Sequence, residues 1–153
     1  MKFDRYDKSI LQVLQSEGRI SNSALAERVN LSESACLRRV RALEESGLIE
    51  GYTALINQQK AGCPVNVFVN ITLERQDELD LRKFEDAVRK IPEVMECYLM
   101  TGDYDYVVRV VVADTADFER LHSRFLTRLP GVARVHSSFA LRTVQKAKEL
   151  PIR

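Results

Sequence analysis

Apolar residues recur along this chain with two different periods, and the change between them divides it in two. Up to about residue 53 the spacing is three and four, that of amphipathic helices. Ile10, Leu11 and Leu14 stripe one segment, Leu25, Ala26 and Val29 a second, and Leu37, Val40 and Leu43 a third. Asp4, with Asp7 three residues on, reads as a capping box for a helix that runs to about Glu17, where Gly18 ends it. Ser21 and Asn22 signal a second helix, Ser23 to Val29. A tight Asn30–Leu31 turn leads to Ser32, the N-cap of a third helix, and Glu33 places a negative charge on the positive end of its dipole. Gly47 closes that helix, and Leu48 to Thr53 reads as a short extended wing. This is helix-turn-helix layout, with the third helix offered to a DNA major groove.

Beyond residue 64 the period shortens to two. Ala54 to Pro64, polar and rich in turn formers, reads as a linker. Val65 to Leu73 alternates as a strand. Leu81, Phe84, Val88 and Ile91 follow at helical spacing; Val94 to Met100 and Tyr106 to Val112 are strand-like across Gly102–Asp105. Phe118, Leu121, Phe125 and Leu129 mark another helix, and Val132 to Leu141 a last strand. Ile91–Pro92–Glu93–Val94 and Leu129–Pro130–Gly131–Val132 form a weak internal repeat in which proline stops a helix and valine starts a strand. The order β-α-β-β-α-β is that of a ferredoxin-like sandwich, one sheet covered on one face by two helices. The expected class is therefore α+β: a winged helix-turn-helix domain over residues 1–53, a linker over 54–64, and the sandwich over 65–153. Val67, Val69, Ile71, Tyr106, Val108, Val110, Val112, Phe139 and Leu141 look like too much apolar surface for one sheet face, so a partner subunit is expected to cover the other.

Composition changes this picture little. The chain has 153 residues, 45% hydrophobic and 29% charged, and no apolar run long enough to cross a bilayer. The N-terminus does not read as a secretory signal, and the expected location is the cytoplasm. Cys36, Cys63 and Cys97, odd in number and widely spaced, are expected to be reduced and partly buried. Net charge is +1, and residues 1–53 carry eight Lys/Arg against eight Asp/Glu. Global basicity thus offers no support for DNA binding; the support is local, three arginines against one glutamate between Ser32 and Leu43.

The chain resembles the Lrp/AsnC family of regulators, the "feast/famine" proteins. The resemblance is carried by Gly18–Arg19–Ile20–Ser21–Asn22, Cys36–Leu37–Arg38–Arg39–Val40, Leu43–Glu44, Gly47–Leu48–Ile49, Gly51–Tyr52–Thr53–Ala54, Thr101–Gly102–Asp103–Tyr104–Asp105–Tyr106 and Leu129–Pro130–Gly131–Val132, in the family's order and spacing. It implies an N-terminal winged helix-turn-helix, a C-terminal effector-binding and oligomerisation domain of RAM type, dimers paired through their sheets and often assembled to octamers, and a free amino acid bound between subunits. Two positions depart from the pattern. Asn30 stands where glycine is frequent, and asparagine is the next best residue at positive φ. Glu33 stands where proline is frequent, bringing a negative charge close to DNA.

For DNA the candidates are Ser34, Arg38 and Arg41 on the exposed side of the third helix, Ser32 at its N-terminus, and Arg19 and Arg39 as positioning contacts. Arginine can donate two hydrogen bonds to guanine O6 and N7 or bind phosphate; a serine and a helix N-terminus can donate to phosphate. The bland reading of the same residues is a solvated helix with ion pairs such as Arg41 with Glu45. For the effector the candidates are Leu99, Met100, Thr101, Gly102, Asp103, Tyr104 and Asp105. Backbone N–H groups near Gly102 suit a carboxylate, Asp103 or Asp105 an ammonium, and Leu99, Met100 and Tyr104 an apolar side chain. Ser137, Ser138 and Phe139 match the region that completes such a site from a neighbouring subunit. The bland reading here is a plain hairpin turn. No catalytic group and no metal set is found: His122 and His136 are isolated, and there is no phosphate loop or nucleophile elbow. No cofactor is expected. A small ferredoxin-like enzyme and a ligand-independent architectural DNA-organising protein are the competing readings.

Overall fold

The computed structural model describes residues 4–147 and 149–152. Two compact units emerge, one running to Leu55 and including the tail from Val144 onward, the other spanning Ile56–Thr143. The tail was expected to belong with the sheet domain. It instead returns to the helical unit, where Leu150 exchanges two hydrogen bonds with Gln15 and Ile152 packs on the helical core. The boundary at Leu55 also gives most of the expected linker to the second unit, where Asn57 and Gly62 shape a turn closed by Ala61 N–H to Asn57 C=O.

The helical unit contains α1 (Arg5–Ser16), α2 (Asn22–Arg28) and α3 (Glu33–Glu45). Asp4 caps α1 in the expected capping box, its carboxylate accepting from Tyr6 and Asp7 N–H while Asp7 accepts from Asp4 N–H. Ser21 caps α2 and Ser32 caps α3. Asn30 takes the left-handed conformation the turn requires, φ 55°. Ile10, Leu11, Leu25, Ala26, Val29, Cys36 and Leu43 form the core. Leu37, expected in the buried stripe, is 38% exposed; Cys36 takes the inward position one residue earlier. The expected wing forms no strand: residues 48–53 are irregular. They are held by Ile49 N–H to Leu43 C=O and by Tyr52 Oη to Glu44, 2.9 Å. Few β-branched residues and a glycine leave this segment with little to pair.

The second unit contains β1 (Val65–Leu73), α4 (Glu78–Val88), β2 (Val94–Leu99), β3 (Tyr106–Val112), α5 (Thr115–Arg124), a 3₁₀ turn (Leu126–Arg128) and β4 (Val132–Phe139). The strands form one antiparallel sheet, β2-β3-β1-β4. Register corrects, for most of its members, the expectation that a partner must cover the apolar surplus. Val67 pairs with Val110, Val69 with Val108 and Ile71 with Tyr106, so odd residues of β1 share a face with even residues of β3. All of these side chains lie in one buried core with Phe84, Val88, Leu121 and Leu126 of the helical layer. The valines, Ile71 and Tyr106 are thus covered within the chain, whereas Phe139 and Leu141 of the same set stay exposed. Phe125, expected in that core, is exposed, and Leu126 is buried in its place, because the helix tightens to 3₁₀ and shifts phase. The opposite sheet face is mixed: Phe68 and Tyr98 are exposed, and Arg109 bridges Glu96 (2.8 Å) and Asn66 (2.9 Å) with its side chain only 15% exposed.

Candidate nucleic-acid interface and effector hairpin

The exposed face of α3 follows from its inward one. At about 100° per residue, Cys36, Val40 and Leu43 point one way, and Ser34, Arg38 and Arg41 point nearly opposite. Ser34, Arg38 and Arg41 are exposed, as are Ser32 and Arg19. Arg19, Arg38 and Arg41 form no ion pair among the described residues, so the Arg41–Glu45 pair of the bland reading is not made. Ser32 Oγ accepts from Ala35 N–H at 3.3 Å and lies 3.4 Å from Ser34 Oγ. Whichever hydroxyl donates to the other, one hydroxyl hydrogen of the pair remains available to a phosphate. Asn22, at the start of α2, donates from Nδ2 to Glu33 C=O at 2.9 Å and fixes how α3 leaves the turn.

Arg39 does not belong to this face. Its guanidinium lies 2.8 Å from both Asp4 and Asp7 of the α1 cap and over the Tyr6 ring. Adjacent residues on a helix point about 100° apart, which turns Arg39 toward α1 while Arg38 stays in solvent. The pairing acts on both partners. Asp4 is held below the usual carboxylate range, mainly by the Asp7 N–H it accepts and also by Arg39. Arg39 is pushed up, chiefly by its bond to Asp7.

The hairpin between β2 and β3 carries the effector candidates. Leu99, Met100, Thr101, Gly102, Asp103 and Tyr104 are exposed, and Gly102 has φ 115°, which favours glycine. Asp105 is engaged within the fold. Its carboxylate accepts Leu73 N–H at 2.6 Å, just where β1 and β4 slip register, and lies within 3.4 Å of Gln76. It is a fold residue, and Asp103 is the hairpin's free-standing carboxylate. Tyr104 stacks on His136 of β4, ring centroids 6.5 Å apart.

The three β4 candidates separate by strand alternation. Ser138, opposite Phe68, is on the open sheet face; Ser137 and Phe139 are on the helix side. Those two line a cleft of about 580 Å³ with Phe118, Glu119 and His122 of α5. Within one chain, therefore, Ser137–Phe139 and the hairpin do not converge on one pocket. Two residues missed in the sequence stand beside the hairpin: His136, and Thr72, whose buried hydroxyl has no partner among the described residues. Only strand register brings them there.

Known proteins match over nearly the whole chain. The model of the Lrp/AsnC ligand binding domain matches residues 66–150, and that of a winged helix-turn-helix DNA-binding domain matches residues 3–50. The chain belongs to the Lrp/AsnC family of transcriptional regulators. It is 42% identical over 150 residues to the leucine-responsive regulatory protein of Escherichia coli K12, covering 98% of this chain and 92% of that one. It is 55% identical over 116 residues to the HTH-type transcriptional regulator y4sM of Sinorhizobium fredii, covering 76% and 91%. Among solved structures, the transcriptional regulator NMB0573 of Neisseria meningitidis in complex with L-Met superposes with a TM-score of 0.93 at 35% identity, over 98% of this chain and 97% of that one. An Lrp/AsnC chain couples a DNA-binding module to a ligand-binding one, and both are present here in sequence order.

Proposed function

We propose that this protein reads specific duplex sequences through the outer face of α3 and that a free amino acid, bound at the β2–β3 hairpin, alters that binding. The observation that carries the reading is the division of labour between adjacent arginines: Arg39 is tied to the α1 cap, whereas Arg38 and Arg41 form no ion pair among the described residues and lie on the exposed side. Arg38 and Arg41 contact bases or phosphate, Ser34 and Ser32 donate to the backbone, and Arg19 positions the module. At the hairpin, N–H groups around Gly102 bind the carboxylate and Asp103 binds the ammonium. Leu99, Met100 and Tyr104 flank the side chain, and Thr72 offers a further hydroxyl. Ser138 of a second subunit, on the open sheet face, completes the site, while Ser137 and Phe139 stay on the helix side. The resemblance to a methionine-bound regulator supports this class of ligand.

The protein acts in the cytoplasm as a homodimer joined through the open sheet face, where Phe68 and Tyr98 stand exposed, and the dimers assemble further to octamers. The test is twofold. Duplexes are selected from random sequence with the purified protein, and the protein is titrated calorimetrically with the common amino acids. A recovered consensus, together with heat from at least one amino acid that also shifts DNA affinity, supports the reading. A consensus with no amino-acid response would favour the architectural alternative; no consensus would sink the reading.

A further inference from the structure

We propose that Leu37 is a specificity-determining residue that sets a preference for thymine by packing on its C5-methyl group; this rests on the reading of α3 as the DNA-contacting helix. The sequence pattern puts Leu37 in the hydrophobic stripe with Val40 and Leu43, but the fold does not use it there. Cys36 is fully buried, Leu43 nearly so, and Val40 packs against the same core, whereas Leu37 is 38% exposed and does not join that cluster. A single exposed leucine is ordinary on a protein surface. Its position is what matters here.

At about 100° per residue, Leu37 projects roughly 60° to one side of Ser34 and 40° from Arg41, while Arg38 flanks Ser34 on the other side. Ser34, Leu37, Arg38 and Arg41 therefore form one outward patch at spacing i, i+3, i+4, i+7. It extends about 10 Å along the helix, roughly three base steps at 3.4 Å each. The polar members can read hydrogen-bonding edges or hold phosphates. Leucine can do neither. In a major groove the one apolar group on a base edge is the thymine methyl, which is the surface a leucine flanked by arginines fits. Leu37 thus adds a base preference that hydrogen bonding alone does not supply. Glu33 and Ser34, one turn earlier, leave the approach uncrowded by any larger apolar side chain.

The test uses the full-length protein and a duplex recovered by selection from random sequence. Thymines in that site are replaced one at a time by uracil, which lacks only the methyl. Wild-type protein is expected to lose roughly four-fold in affinity at one position per half-site, the worth of one buried methyl group. The Leu37→Ala variant is expected to bind the thymine and uracil versions alike at that position, with an unchanged melting temperature and an unchanged dependence on salt. A wild-type protein indifferent to every uracil substitution, or a Leu37→Ala variant that keeps the same uracil sensitivity, would overturn the assignment of Leu37 while leaving α3 as the DNA-reading helix. Failure to select any preferred sequence would overturn both. The uracil scan on the unaltered protein keeps the test decisive even if the variant folds poorly.

Discussion

Arg39 of α3 and Asp7 of α1 lie 2.8 Å apart, with the Arg39 side chain 25% exposed and that of Asp7 13%. The contact joins the capping box of the first helix to the middle of the third, and Asp4 adds a second oxygen at 2.8 Å. One arginine in the Arg38–Arg39 pair is therefore structural, and its neighbour is free for a ligand. Arg39→Ala is expected to destabilise the protein by on the order of 1 kcal/mol. DNA affinity measured well below the melting temperature should change little. Thermal melts and binding on the same preparation check this; a variant that melts normally but loses DNA binding would return Arg39 to the interface.

The hairpin aspartates should likewise separate. Asp105→Ala leaves Leu73 N–H, part-buried at the end of β1, without its acceptor. A loss of about 1–3 kcal/mol is expected in chemical denaturation. Asp103→Asn should leave stability unchanged and weaken amino-acid binding roughly ten-fold, the loss of one charge-assisted bond. Equal effects of both substitutions on stability would contradict the division between a fold residue and a ligand residue.

Tyr52 provides a pH signature. Tyr52 is half exposed, yet desolvation around its hydroxyl first, then its bond to Glu44, raises the phenol to about 12 from an ordinary 10. A raised folded-state value means the folded form holds its proton more tightly. The contribution is complete below pH 10 and is lost as pH climbs from 10 toward 12. Wild type should therefore lose stability across that window more steeply than Tyr52→Phe. Identical alkaline profiles would show that residues 48–53 do not hold Tyr52 against Glu44 in solution.

Coupling between the two modules makes a thermodynamic demand. If an amino acid changes DNA affinity by some factor, saturating DNA must change the affinity for that amino acid by the same factor. Calorimetric titration of the effector with and without the selected duplex checks it. A one-way effect would mean that the amino acid acts elsewhere than on this protein's equilibrium.

The parts legible in sequence were those governed by local rules. Asp4, Ser21 and Ser32 cap as their chemistry requires, Asn30 takes positive φ, and the bounds of β1 and β3 fall where alternation puts them. What escaped depends on long-range geometry. The odd residues of β1 and the even residues of β3 share a face only because of their antiparallel register, which no local pattern reveals. Arg39 resembles Arg38 until α1 is in place to claim it. Leu37 fits the apolar period, yet Cys36 fills the core position. At the hairpin, Asp105 and Asp103 are the same residue type two positions apart. Only the Leu73 amide distinguishes them.

The most direct measurement is the affinity of the selected duplex for an Arg38→Ala, Arg41→Ala double variant. Binding at matched salt is expected to fall at least ten-fold, since each base or phosphate contact is worth about 1–3 kcal/mol, with the melting temperature unchanged. If both arginines hold phosphates, the salt dependence should also flatten by up to about two counterions. Wild-type affinity in the double variant, at every salt concentration, would contradict the assignment of this helix face to DNA.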